Sequence, residues 1–145
     1  HFFLLALPIG LLIRMALNAL DGMMARTYQQ QSKKGELLNE IGDVVSDLFI
    51  FFPLLKYESQ HYYFVVLFIT LSIINEFAGI LGKVVSGERR YEGPMGKSDR
   101  AFLIGLYGIL WFLGLMKRPY LGFALIISIL LLIISTYTRI SKSLK

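Results

Sequence analysis

Apolar residues run along this chain in five blocks, at about 2–26, 37–55, 62–84, 101–116 and 119–138, with short polar stretches between them. Several blocks reach the roughly 20 residues that a helix needs to cross a hydrocarbon core. The pattern predicts an all-α, polytopic transmembrane helix bundle with five spans, forming a single domain over residues 1–145. The 101–116 block is short, and its helix is expected to reach back to Ser98 as its N-cap, with Asp99 in the first turn. A large soluble helical core is the competing reading. Five such blocks in 145 residues leave too little polar surface for it.

Inside the first two blocks the apolar pattern is interrupted at regular intervals. The residues are Asn18, Asp21, Gly22, Ala25 and Arg26, then Gly35, Asn39 and Asp43. A charged side chain at a helix centre costs roughly 2.5–3.5 kcal/mol on insertion scales, so a regularly spaced set of them implies a built site. Each helical residue turns about 100°. Arg14, Asn18, Asp21, Gly22, Ala25 and Arg26 therefore fall on one side of the first span. Gly35, Asn39, Asp43, Ser46 and Asp47 fall on one side of the second. The connection at 27–36 is short, which makes the two helices antiparallel neighbours and lets the two polar faces meet in one pocket.

Composition narrows the chemistry. The chain is 55% hydrophobic with a mean hydropathy of +0.60. It has no cysteine, which excludes disulfides and thiolate chemistry, and only His1 and His61, which excludes a histidine-built zinc site. The net charge of +5 reports membrane orientation and not nucleic-acid binding. Lys33, Lys34, Lys83, Arg89, Arg90, Lys97, Arg100, Arg139, Lys142 and Lys145 belong to one side, and Lys56, Lys117 and Arg118 to the other. That bias puts the 27–36 loop, the 85–100 loop and the C-terminus in the cytoplasm. The first span then runs inward, so a further N-terminal span is expected, making six in all.

Oxygen ligands converging from two helices suit Mg²⁺ or Mn²⁺, and such ions suit a pyrophosphate, whose charge they neutralise. Gly22 and Ala25 keep the face low enough for a bulky ligand to approach the backbone. Arg26 adds a cation for phosphate, and a remaining carboxylate can take a proton from an attacking hydroxyl. The residues alone therefore point to metal-dependent transfer on a phosphate-containing substrate. A pair of helices packed through small and polar residues is the alternative.

The run Asn18-x2-Asp21-Gly22-x2-Ala25-Arg26-x8-Gly35-x3-Asn39-x3-Asp43 resembles the motif of the integral-membrane CDP-alcohol phosphatidyltransferases, D-x2-D-G-x2-A-R-x8-G-x3-D-x3-D. Six of its eight positions match. Asn18 and Asn39 stand where the family pattern has its first and third aspartates, each losing a charge and keeping a carbonyl oxygen. This looks like a variant subgroup, with Asp47 one turn further on as compensation.

The resemblance implies a six-span enzyme of phospholipid biosynthesis. It would move a phosphatidyl group from a CDP-alcohol, CDP-diacylglycerol foremost, to an acceptor alcohol, and release CMP. It implies Asn18, Asp21, Asn39, Asp43 and Asp47 as ligands of Mg²⁺ or Mn²⁺, with Asp43 also the catalytic base. Asp21, Gly22, Ala25, Arg26 and Gly35 would bind CDP. Lys97, Ser98, Arg89 and Arg90, in the Gly- and Pro-punctuated stretch 86–100, would hold the acceptor or its phosphate. A homodimer in a bacterial inner membrane, with the site facing the cytoplasm, is expected. A non-catalytic CDP-lipid- or nucleotide-binding membrane protein is the second reading, and a carrier built on Glu76 and Arg14 the third.

Overall fold

The structure is a computed structural model that describes residues 2–28, 32–57, 62–115 and 119–145, without the side chains of 2–5, 25, 26, 57 and 119. Within those residues the chain is all α: α1 Phe2–Thr27, α2 Lys33–Phe51, the four-residue α3 Leu54–Tyr57, α4 Tyr62–Ser86, α5 Lys97–Phe112 and α6 Pro119–Ser143. The five long helices match the five apolar blocks. Three of them, over Ala6–Met24, Tyr62–Ser86 and Tyr120–Ser143, are long and apolar enough to cross a membrane by themselves. The α2 helix is interrupted by charges, Asp43 and Asp47 among them, and α5 has 16 residues. His1, His61, Lys117 and Arg118 lie outside the described residues.

Local chemistry sets the ends. Ser32 caps α2, its hydroxyl accepting the Gly35 N–H at 3.0 Å. The α2 helix stops at Phe51, two residues before Pro53, which has no N–H to continue the helical hydrogen bonds. Gly96, not the expected Ser98, is the N-cap of α5. There the Asp99 carboxylate accepts the Gly96 N–H at 3.0 Å, a reach from the third helical residue back to the cap.

The α4 helix packs along α6, α1 along α5, and α2 and α3 against α4. The α6 face turned inward is a helical stripe: Leu121, Leu125, Ser128, Ile129, Leu132, Ser135, Arg139 and Ser143. The facing α4 stripe includes Val65, Phe68, Ile69, Ser72, Asn75, Glu76, Gly79 and Gly82. Small residues matter here because lipid is as apolar as leucine, so helices associate through close packing and polar contacts. The outward apolar residues, such as Ile127, Leu130, Ile133 and Ile134, are exposed, as a lipid-facing surface requires.

Gly79 and Gly82 do not simply bring two helices together. A methyl group on Gly79 would lie 2.6 Å from the Arg90 carbonyl oxygen, and one on Gly82 would lie 2.5 Å from the Arg90 side chain. They admit the segment after α4, which docks back on the bundle through the Arg90 N–H to the Gly79 carbonyl at 3.1 Å. Further along, Gly93 has φ +96° and sits on the α6 backbone, where an added Cβ would stand 2.6 Å from Ser135 Cα. Gly93→Ala should therefore cost about 2 kcal/mol or more. Gly87→Ala, at φ +80° but in open space, should cost about 1 kcal/mol from backbone strain alone. Thermal unfolding of the two variants in detergent checks the order, and equal losses would mean that this segment is not seated on α6.

Candidate active site

The helix ends define a polar pole of the bundle. Lys83 at the end of α4 pairs with Glu36 at the start of α2, Arg89 pairs with Glu40, and Lys97 at the start of α5 pairs with Asp43. Arg139 near the end of α6 donates to the Glu92 carbonyl oxygen at 3.2 Å. The end of α1 meets the start of α2 there too, through the short connection between them. At this pole α1 and α2 open into a cavity of about 1280 Å³.

Most of the expected site residues line that cavity. Asn18, Asp21 and Gly22 come from α1, Gly35, Asn39 and Asp43 from α2, and Arg89 and Lys97 from beyond α4. Arg14 and Ser46 join them. Three expected residues are placed elsewhere. Asp47 points between Arg14 and Arg100, at 2.7 and 3.0 Å. Arg90 faces Glu88 and Glu92. Ser98 is exposed in the first turn of α5 and does not line the cavity. The placement of Ser98 follows from α5 starting at Lys97, which directs the lysine and not the serine toward α2. The side chains of Ala25 and Arg26 lie outside the described residues.

Asp43 is the centre of the arrangement. It is 5% exposed. Asn18 Nδ2 donates to its Oδ1 at 2.8 Å, Arg14 reaches the same oxygen at 3.5 Å, and the Lys97 ammonium pairs with Oδ2. Arg14 is itself fixed: its Nε donates to Ser46 Oγ at 2.6 Å and its guanidinium to the Asp43 carbonyl at 3.0 Å. Asp21 and Asn39 are exposed to the cavity. Gly22 and Gly42 have nothing within 4 Å of an added Cβ, among the described residues. The helix backbone is therefore bare toward the cavity for ligand approach, and not for packing against a neighbour. Gly35 differs, because its missing side chain makes room for the Ser32 hydroxyl at 3.1 Å.

A divalent ion can be tested against these donors. Among the described residues, no three Asp, Glu, His or Cys side chains converge. Three carboxylates line the cavity, but Glu36 is paired with Lys83, which leaves Asp21 and Asp43 with the carboxamides of Asn18 and Asn39. That is an all-oxygen set with two negative charges, the donor chemistry that a hard divalent ion takes.

Behind the cavity lies a buried ionic network that the sequence did not reveal. Arg100, 0% exposed, bridges Asp47 and Glu76 at 3.0 Å each and donates to the Met95 carbonyl at 3.1 Å. Glu76 also holds Arg89 at 2.9 Å and has Arg139 at 3.9 Å. Arg100 and Arg139 had been expected as loop charges reporting orientation. Both are interior instead, Arg139 being 2% exposed. Arg14 and Glu76 do not pair with each other, as each has its own partners. Burial lowers the Arg89 pKa, and neighbouring Tyr91 acts in the opposite direction. The signal available in the sequence was Glu76 itself, an acid in a long apolar run that demands buried cations.

Comparisons with known proteins give the family. The sequence model of the CDP-alcohol phosphatidyltransferases matches residues 3–140, nearly the whole chain. The chain is 50% identical over 105 residues to the inner membrane protein YnbA of Escherichia coli (strain K12), which covers 72% of this chain. It spans about half of that relative's length, 52%. No solved structure matches. With the motif helices facing one cavity and the family match running from α1 to α6, this chain belongs to the CDP-alcohol phosphatidyltransferase family.

Proposed function

We propose that this protein transfers a phosphatidyl group from CDP-diacylglycerol to an acceptor alcohol, releasing CMP, at the cytoplasmic face of a bacterial inner membrane. The observation that carries the reading is the large cavity at the polar pole, lined by Asp21 and Gly22 from one motif helix and Gly35 and Asp43 from the next. A cavity at that pole lets a soluble nucleotide leave while the lipid product stays in the bilayer. The relative's designation as an inner membrane protein and the three apolar spans support the location.

The cytidine diphosphate lies over the bare backbone at Gly22, with Arg26 and Lys97 as cations for phosphate. Asp21 and Asp43, with the carboxamide oxygens of Asn18 and Asn39, would hold Mg²⁺ or Mn²⁺, which would neutralise pyrophosphate charge when bound. The Asp43 carboxylate takes the proton of the acceptor hydroxyl. The acceptor oxygen forms a bond to the lipid-side phosphorus, the bond from that phosphorus to the bridging oxygen breaks, and CMP departs with that oxygen. Arg14, locked by Ser46 and Asp47, positions Asp43. Asp47 serves as an anchor for Arg14 and Arg100 and is not placed among the metal ligands.

The test is CMP release by the purified full-length protein with CDP-diacylglycerol, Mg²⁺ or Mn²⁺ and a pool of candidate alcohols; the lipid product identifies the acceptor. Restoring the family aspartates, Asn18→Asp with Asn39→Asp, should preserve or raise the rate. A folded double variant without activity would refute this account of the site. The engagement of both Asp43 oxygens favours one rival, a non-catalytic CDP-lipid binder. Saturable binding without CMP release would select it. A further expected result separates ligand space from packing. Gly22→Leu should leave thermal stability unchanged or higher and weaken CDP binding on the order of tenfold or more.

A further inference from the structure

We propose that the Lys97 ammonium and the divalent ion compete for the Asp43 carboxylate, so that loading the ion frees Lys97 to bind a substrate phosphate. This rests on the reading of the cavity as a CDP-lipid site that takes one divalent ion.

Both oxygens of Asp43 already have donors: Asn18 and Arg14 at Oδ1, Lys97 at Oδ2. Oδ1 is engaged twice, so an ion that ligates Asp43 comes to Oδ2, where it meets the Lys97 ammonium and repels it. Arg14 is not free to leave, being held by Ser46, the Asp43 carbonyl and Asp47, with its side chain 12% exposed. Asn18 sits within α1 on a short side chain, and it is neutral, so it does not repel an ion at Asp43. Lys97 has Asp43 as its partner among the described residues, is 24% exposed, and carries a long flexible arm rooted at the first residue of α5. It is the donor that can yield.

Charge points the same way. With Asn18 and Asn39 neutral, the cavity offers Asp21 and Asp43 against a dication, and an ammonium kept on Asp43 would stand beside that dication unscreened. Released, it lies at the cavity wall beside Arg89, where a phosphate would enter. Lys97 thus links ion loading to phosphate capture, and it ties the start of α5 to the motif helix α2.

The test is Mn²⁺ binding followed by electron paramagnetic resonance, together with CDP binding, on the full-length protein in nanodiscs. Lys97→Met should tighten Mn²⁺ about tenfold, because the ion no longer displaces an ammonium. The same variant should weaken CDP on the order of tenfold, because the phosphate loses its cation. Opposite signs at one site are the signature; a merely structural lysine would weaken both. Lys97→Arg, which keeps the charge, should bind Mn²⁺ like the unmodified protein and provides a folded comparison. If the unmodified protein binds Mn²⁺ and Lys97→Met binds it no tighter, the exchange is overturned and the proposed reaction stands. If neither protein binds Mn²⁺, with or without CDP, the ion-dependent reading of the cavity falls as well.

Discussion

Asp43→Asn should lower CMP release by roughly two to four orders of magnitude, the range that a positioned general base contributes. Asparagine is nearly isosteric, and its carbonyl oxygen can still accept one of the hydrogen bonds that Asn18, Arg14 and Lys97 give to Asp43. The helices should therefore stay assembled while the proton acceptor is lost. The variant also removes one of the two motif carboxylates at the cavity, so Mn²⁺ binding should weaken alongside turnover. Two controls make the result interpretable: an unchanged elution profile in detergent, and a melting temperature within a few degrees of the unmodified protein. Retained activity in a folded Asp43→Asn protein would remove Asp43 from the chemistry and with it the reaction proposed above.

Glu76→Gln should destabilise the bundle by about 3–5 kcal/mol, the loss typical when one partner of a buried ionic cluster is neutralised. Glu76 is 5% exposed and is the carboxylate on which Arg89, Arg100 and Arg139 converge. Each arginine has other contacts: Arg89 with Glu40, Arg100 with Asp47 and the Met95 carbonyl, Arg139 with the Asn75 and Glu92 carbonyls. None of those contacts cancels the mutual repulsion of three guanidinium groups in a low-dielectric interior. The loss should appear as a lower unfolding midpoint in detergent. Adding Arg139→Met should recover part of it, since that change removes one of the three charges, and the coupling in a double-mutant cycle should be clearly non-zero. A Glu76→Gln midpoint equal to that of the unmodified protein would mean that the cluster contributes no net stability.

The network also explains how a chain with little polar surface builds a precise polar site. The α2 helix carries the motif residues Asn39 and Asp43, and polar bonds tie it to its neighbours: Arg14 from α1, Lys83 from α4, Arg89 from the segment beyond, and Lys97 and Arg100 from α5. Such contacts are directional, whereas apolar packing in lipid is not selective. The segment 87–96 is a working part of this arrangement. Gly93 lets it seat on α6, and Met95, in the left-handed region at φ +60° and buried, turns its carbonyl to Arg100. The strain is tolerated because Gly93, seated on α6, holds the chain before Met95, and Arg100 in α5 holds it after.

The helices and the motif could be read from the residues alone. Apolar runs of about 20 residues have one stable solution in a bilayer, and helical periodicity put Asn18, Asp21, Gly22, Asn39 and Asp43 on two faces that a short connection forces together. Those are local properties, set by backbone hydrogen bonding and by 3.6 residues per turn. The partners of the charges were decided by tertiary structure. Arg100 and Arg139 look like loop cations in the chain and are interior ligands of Glu76 in the fold. Asp47 looks like a third motif carboxylate and instead anchors Arg14 and Arg100. Ser98 has the chemistry of a helix cap, yet Gly96 takes the position and sends Lys97 onto Asp43. In each case the sequence places a charge on a helix, but which opposite charge it meets depends on how helices distant in the chain are rotated and staggered, and that is settled only when they pack.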